Sequence, residues 1–229
     1  SENNIPFKWS AKVNSELSSL TFSNESNRIN LEDMPFVTID GKDAKDFDDA
    51  VFCDENKSGY ILYVAIADVA DVVKEETEID KEAFKRGTSI YFPKKVIPML
   101  PEKISNDMCS LVPNQKRNVL VCKIYFDTEA TINTFEFIEG QIKSSQRFTY
   151  EEVERFESID SKISNSISSL RLLTKKLLLK RSKRHALEIE SSEPYIAVND
   201  EGELQKISFP KRLFAHQMIE ESMLSLIHI

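Results

Sequence analysis

Asp40, Asp43, Asp46, Asp48 and Asp49 fall within ten residues of one segment, TIDGKDAKDFDDAV (residues 38–51), and only Lys42 and Lys45 offset them. Two carboxylates about 4 Å apart repel by about 4 kcal/mol at an effective dielectric of about 20. A loop that gathers several of them must bind cations, or let some carboxyls rise in pKa until they are neutral. The run holds no His or Cys. Its hard oxygen donors point to Mg2+, with Mn2+ as the second choice, and away from zinc. Such a cluster suits phosphoryl-transfer chemistry, in which paired metals activate a water and stabilise the leaving oxygen. The plain alternative is an exposed acidic turn. Other chemistries lack their motifs. Gly41-Lys42 has no upstream glycine loop to cradle phosphates. The run also lacks the central Gly and terminal Glu of a Ca2+ loop. No HExxH or GxSxG occurs, and His185, His216 and His228 are scattered.

The flanking residues must position this loop. FVTID before it and AVFC after it are β-prone runs, and YILYVAIADVADVV beyond Gly59 reads as one continuous buried strand. A polar loop between two strands is a common place for catalytic groups, because the strands fix it. Residues 77–86 predict a short helix with Thr77 as N-cap and Gly87 as stop. Pro93, Pro98, Pro101 and Pro113 then forbid a long helix and predict an extended path, with a short turn at residues 105–107. Residues 119–126 and 131–138 form an antiparallel hairpin, the second strand running on through GQIKSSQRF. Thr149 and Glu152 have capping-box spacing for another short helix. Residues 163–185 give the longest helical signal, with Ile163, Ile167, Leu170, Leu173 and Leu177 on one face. Arg171, Lys175, Lys176, Lys180, Arg181, Lys183 and Arg184 crowd its second half, either as a solvated face or as a surface that tracks phosphates. LEIESSEPYIAVNDEGELQKI reads as a hairpin turning at residues 199–202, and AHQMIEESM as a last helix. Residues 13–20 predict a short helix in an otherwise polar lead-in.

The chain has 229 residues, 41% of them hydrophobic and 30% charged, with 30 Lys and Arg against 38 Asp and Glu, a net charge of −8. That mix excludes wholesale disorder. The acidic balance disfavours a dedicated nucleic-acid-binding module but not an enzyme that holds cations. Cys53, Cys109 and Cys122 are odd in number and form no CxxC pair, so a reduced, cytoplasmic location is expected. No apolar run approaches a membrane span, and SENNIPFKWS has none of the regions of a signal peptide. The first residue is not Met, and the chain is read as a piece of a longer protein.

VTIDGKDAKDFDDAV resembles the signature of the ribonuclease II / ribonuclease R family in its catalytic RNB domain. YVAIADVADVV, RGTSIYFPKKVIPMLPEKISNDMCSLVP, HALEIESSEP and AHQMIEESM resemble later blocks of that domain in the same order. The wording TIDGKDAKDFDDAV and GTSIYFP is nearer the ribonuclease R branch. The resemblance implies an α/β (mixed α+β) fold, a mixed sheet with flanking helices, truncated on its C-terminal side. Residues 1–30 are a lead-in and residues 31–223 the N-terminal part of the catalytic domain. Residues 224–229 (LSLIHI) match the translation of a common transposase sequencing adaptor and are set aside as a non-native tail.

It also implies a processive 3′-to-5′ exoribonuclease that hydrolyses single-stranded RNA to nucleoside 5′-monophosphates. Mg2+ is the expected metal, Mn2+ an alternative, with no small-molecule cofactor besides and no membrane partner. Asp40, Asp46, Asp48 and Asp49 match the family's four acidic positions. The resemblance makes Asp40, Asp46 and Asp49 metal ligands and Asp48 the carboxylate most directly needed for cleavage. Asp43 stands outside the quartet, as a solvated loop residue. Tyr91 matches a tyrosine that stacks on a base near the RNA 3′ end. Ile189 stands where many relatives have a Phe as the second jaw of that clamp, and an aliphatic jaw stacks less well on a base. OB-fold RNA-binding domains are expected to flank the domain in the parent protein, and this fragment alone is expected to have weak or no activity. The alternative is an RNB-like protein that has lost catalysis and only binds RNA.

Overall fold

A computed structural model describes residues 7–22, 27–156, 161–186, 194–199, 201–227 and 229. The chain falls into two units, the larger comprising Glu25–Asp68, Cys109–Glu190 and Arg212–Ile229. Its centre is a seven-stranded sheet. Numbered along the chain, the strands are β1 (Ile29–Asn30), β2 (Val37–Asp40), β3 (Asp49–Asn56), β4 (Gly59–Ala67), β7 (Lys116–Phe126), β8 (Ile132–Lys143) and β9 (Gln146–Thr149). They lie in the order β1-β8-β7-β4-β3-β2-β9. β1 with β8 and β2 with β9 are parallel, and the other neighbours are antiparallel. The sheet is therefore mixed, as expected.

The central strands are β-branched and aromatic, and β4 is buried along most of its length. Such strands are covered on both faces. A two-residue turn joins β3 to β4, since Asn56 pairs with Gly59. Gly59 has φ +135°, and a Cβ there would lie 2.2 Å from the Phe126 carbonyl oxygen, so both conformation and space demand glycine. Only Ser144 and Ser145 separate β8 from β9, yet these strands lie towards opposite edges of the sheet. So short a link spans roughly 10 Å. The sheet must curl until its edges approach each other, and Ser145 N–H donates to the Phe36 carbonyl beside β2 at 2.8 Å.

Three helices of this unit are α4 (Tyr150–Glu154), α5 (Lys162–Lys183) and α6 (Phe214–Ile227). Ile167, Leu170 and Leu173 of α5 and Ala215 and Met218 of α6 bury against Cys53, Leu62, Val64, Cys122 and Ile124 of the sheet. Ser161 caps α5, and the expected capping box of Thr149 and Glu152 opens α4. The basic half of α5 is divided in use. Arg171 donates to the Val153 and Glu154 carbonyls at the end of α4. Lys180 donates to Thr131 Oγ1 at 2.6 Å, and Arg181 pairs with Glu221 at 2.8 Å. Lys175, Lys183 and Arg184 are exposed. Much of the basic stripe thus holds α5 to its neighbours, which leaves less of it for tracking phosphates. All three cysteines are free and buried. Among the described residues no helix is long and apolar enough to cross a membrane.

The smaller unit comprises Ser1–Asn24, Val69–Met108 and Ser191–Lys211. Here one expectation is corrected. The strand predicted to run through ADVADVV stops at Ala67, and Val69–Val72 form a short helix, α2. Asp68 N–H donates to the Asn118 carbonyl at 3.0 Å, and Val73 N–H to the Val69 carbonyl at 2.8 Å, so a helical turn replaces the ladder. α3 (Glu78–Arg86) has Thr77 as N-cap, and Gly87 ends it at φ +71°. α1 (Ala11–Ser19) lies against α3, and Glu16 accepts from the N–H groups of Glu78 and Ile79. That places a carboxylate on the positive end of a helix. Arg86 stacks on Trp9 at 3.6 Å and donates to the Pro98 and Lys8 carbonyls. The proline-rich path is less featureless than expected. It holds a hairpin of β5 (Ile90–Phe92) and β6 (Lys95–Ile97), and a π turn at Ile104–Met108. A second hairpin pairs β10 (Tyr195–Val198) with β11 (Leu204–Ser208).

Candidate active site

The acidic segment joins two neighbouring strands. Asp40 is the last residue of β2 and Asp49 the first of β3, with Asp46 and Asp48 in the loop between them. β2 has one ladder pair with β3 (Val37 with Val51) and four with β9, ending at Asp40 with Thr149. The position of Asp40 therefore depends mostly on β9.

The loop is pinned along its length. Ala44 N–H donates to the Gly41 carbonyl at 3.1 Å, closing a tight turn. Arg147 on β9 donates through Nη2 to the Gly41 and Lys42 carbonyls at 2.7 and 2.8 Å, and its guanidinium lies 5.4 Å from the Phe47 ring centre. Phe47 is buried and anchors the middle of the loop. Ser110, fully buried, accepts from Phe47 N–H at 3.1 Å and donates to the Lys45 carbonyl at 2.8 Å. Leu111 N–H donates to the Phe47 carbonyl, and Ala67 N–H to the Asp48 carbonyl, both at 2.9 Å.

Held this way, the carboxylates feel one another. Burial pushes Asp49 up to about 7, and the charges of Asp40 and Asp48 add to the rise. Burial raises Asp40 to about 6, with Asp46 and Asp48 adding and Arg147 and the Gly41 N–H opposing. Asp48, more open to solvent than its neighbours, is also raised, by partial burial and then by Asp46. Asp43 is exposed. The structure thus brings all four predicted aspartates within electrostatic reach of each other. Among the described residues, no three His, Cys, Asp or Glu side chains stand ready to hold a metal ion. The donor chemistry nevertheless fits a hard divalent cation, because the set is all oxygen and its crowded charge is only partly offset.

Tyr91 lies on β5 of the smaller unit, paired with Val96, with its ring 69% exposed. Ile189 lies outside the described residues. Sequence reasoning missed three neighbours of the acidic loop. Arg147 and Ser110 come from segments whose local pattern signals only strand or extended chain. Tyr150, the first residue of α4, is pushed up to about 12 by burial, then by the charges of Asp40, Asp49 and Glu220. Its ring stacks on His216 of α6 with centres 4.0 Å apart. The capping box predicted the helix that carries Tyr150 but not its neighbours.

Comparison with known proteins follows this geometry. The RNB domain family matches residues 28–226. Ribonuclease R of Escherichia coli is 37% identical over 96% of this chain and 28% of its own length. The structure of Mycoplasma genitalium RNase R in complex with ribose methylated single-stranded RNA superposes with a TM-score of 0.92, at 36% identity, over 98% of this chain and 36% of that one. Yeast Ssd1, a pseudonuclease, has a TM-score of 0.67 at 19% identity, which shows a shared fold and no more. The chain spans about a third of the length of the ribonuclease R relatives it matches. With the family matched from β1 through α6 and the acidic loop in place at the end of β2, the chain belongs to the RNB domain family.

Proposed function

We propose that this chain is the N-terminal part of the catalytic domain of a processive 3′-to-5′ exoribonuclease, which hydrolyses single-stranded RNA to nucleoside 5′-monophosphates. The observation that carries the reading is the acidic quartet. Asp40, Asp46, Asp48 and Asp49 are all present on one loop held between β2 and β3, and Asp40, Asp48 and Asp49 are raised in pKa by burial and by neighbouring carboxylates. Crowded anionic charge of this kind stores an affinity for cations. Asp40, Asp46 and Asp49 would hold Mg2+, or Mn2+ in its place. Bound there, the metal supplies Lewis-acid stabilisation of the attacking and leaving oxygens. Asp48 orients the attacking water, with its backbone fixed by the bond from Ala67. Tyr91 offers an exposed ring on which a base near the 3′ end stacks, an interaction worth roughly 1–3 kcal/mol and indifferent to sequence. The family resemblance gives Ile189 the part of the weaker jaw of that clamp.

The rest of the phosphate-binding surface, with flanking OB-fold domains, belongs to the remainder of the parent protein. The greater length of the relatives supports this. The acidic net charge of the chain fits the same division of labour. A cytoplasmic location is part of the proposal, supported by three free, buried cysteines. The test is the full-length protein with 5′-labelled single-stranded RNA and Mg2+, with and without EDTA. A metal-dependent collapse to a very short limit product, without ladder intermediates, is expected. Intact RNA that is still retarded on a native gel overturns the enzymatic reading in favour of binding alone.

A further inference from the structure

We infer that Arg147 is a positioning residue for the metal-binding carboxylates, clamping the entrance of the acidic loop so that Asp40 and Asp46 face the same space. The inference rests on the function proposed above. Three observations lead to it. Arg147 stands on β9, the strand that supplies four of the five ladder pairs of β2. A single nitrogen, Nη2, bridges two consecutive loop carbonyls, those of Gly41 and Lys42. The central carbon of the same guanidinium lies over the Phe47 ring, 5.4 Å from its centre and five residues further along the loop. One planar cation thereby ties the first turn of the loop to its buried midpoint. Ser110 secures the other arm through Lys45 and Phe47, but with a neutral hydroxyl and from a different segment.

The geometry requires arginine. A lysine ammonium has donors for both carbonyls but is a compact point charge, without the planar group that reaches from them towards the Phe47 ring. The charge alone works in the opposite direction. A cation beside the cluster repels an incoming Mg2+, so an Arg147 acting only as a charge would weaken metal binding, and its removal would tighten it. An Arg147 acting as a clamp does the reverse. Removing a group that orients metal ligands typically costs about 10–100-fold in metal affinity. The direction of the change therefore separates the two roles.

Arg147→Met and Arg147→Lys in the full-length protein test this. Hydrogen exchange of residues 41–48 in the metal-free protein is read beside the Mg2+ half-saturation of hydrolysis, the KM for RNA and the limit product. In Arg147→Met, exchange across the loop is expected to quicken and half-saturation to rise about tenfold or more, with KM and limit product unchanged. Arg147→Lys should fall between this and the parent, and it serves alone if the Met variant fails to fold. Unchanged loop exchange, or a half-saturation that stays level or falls, overturns the inference. Absence of metal-dependent hydrolysis in the unaltered protein overturns the functional reading instead, and the exchange measurement still decides the clamp.

Discussion

Asp49→Asn should stabilise the metal-free protein most at neutral pH and progressively less as the pH falls towards 4. In the fold the Asp49 carboxyl is raised to about 7 from 3.8, chiefly by burial. Below about pH 3 both folded and unfolded chains are protonated and the group is neutral in its effect. As pH rises, the unfolded chain releases this proton first and gains free energy that the fold does not. Stability falls by about 1.4 kcal/mol per pH unit until the folded group also ionises, near pH 7, and then levels off. About three units of difference correspond to about 4 kcal/mol. Asp40 and Asp48 supply part of the rise, and their own pKa values relax when Asp49 is neutralised, so a working figure is about 2–4 kcal/mol. For a chain of this size that is a gain in Tm of roughly 4–16 °C. The assay is thermal unfolding in EDTA from pH 4.5 to 8, in parent and variant. The difference between the two curves isolates this group from the other acidic residues. It should be smallest at pH 4.5, about a quarter of its full size, and largest above pH 7. Mg2+ should raise the parent's Tm at pH 7.5 and the variant's much less, because binding requires the ionised carboxylate that the fold disfavours. A difference curve that is flat, or that grows towards acid, refutes the account of the site as a crowded, partly buried anionic cluster.

Other outcomes follow from the same structure. Asp48→Asn in the full-length protein should reduce hydrolysis below detection while RNA binding, measured by filter retention, stays within about twofold of the parent; loss of both together argues against its assigned part in cleavage. Tyr91→Ala should lengthen the limit product without stopping degradation, and an unchanged product on a sequencing gel removes the ring from the clamp. Gly59→Ala places a Cβ against the Phe126 carbonyl in a backbone conformation that disfavours L residues; it should cost about 2–4 kcal/mol in urea unfolding, and a loss under about 0.5 kcal/mol contradicts the tight turn described.

The strands were legible where burial decided them. Alternating and continuous apolar runs marked β2, β3, β4 and β7, and Thr77, Gly87, Thr149 and Glu152 marked helix ends through caps that act within three residues. The acidic quartet was legible because its chemistry is carried in one short segment. The lost information is the non-local part. Nothing in QRF says that its arginine will reach back to Gly41, because that contact joins residues about a hundred positions apart through a parallel pairing without local signature. ADVADVV reads as strand because Val and Ala suit a buried strand and a buried helical turn alike. The hairpin of β5 and β6 was hidden by flanking prolines, which exclude long elements but permit strands of three residues.

The parallel pairing of β2 with β9 has a bearing on how the protein comes into being. Val37 must wait for Gln146, and Asp40 for Thr149, about 110 residues later in the chain. At about 5–20 residues per second, a ribosome takes roughly 5–20 s to make the stretch between them. During that interval β2 has one ladder pair with β3 to hold it, and Arg147, which ties the loop, has not yet been added. The four carboxylates can therefore be synthesised long before they can be assembled. A chain built this way emerges with its acidic loop still open, and the loop is completed only after the strand that clamps it has left the ribosome.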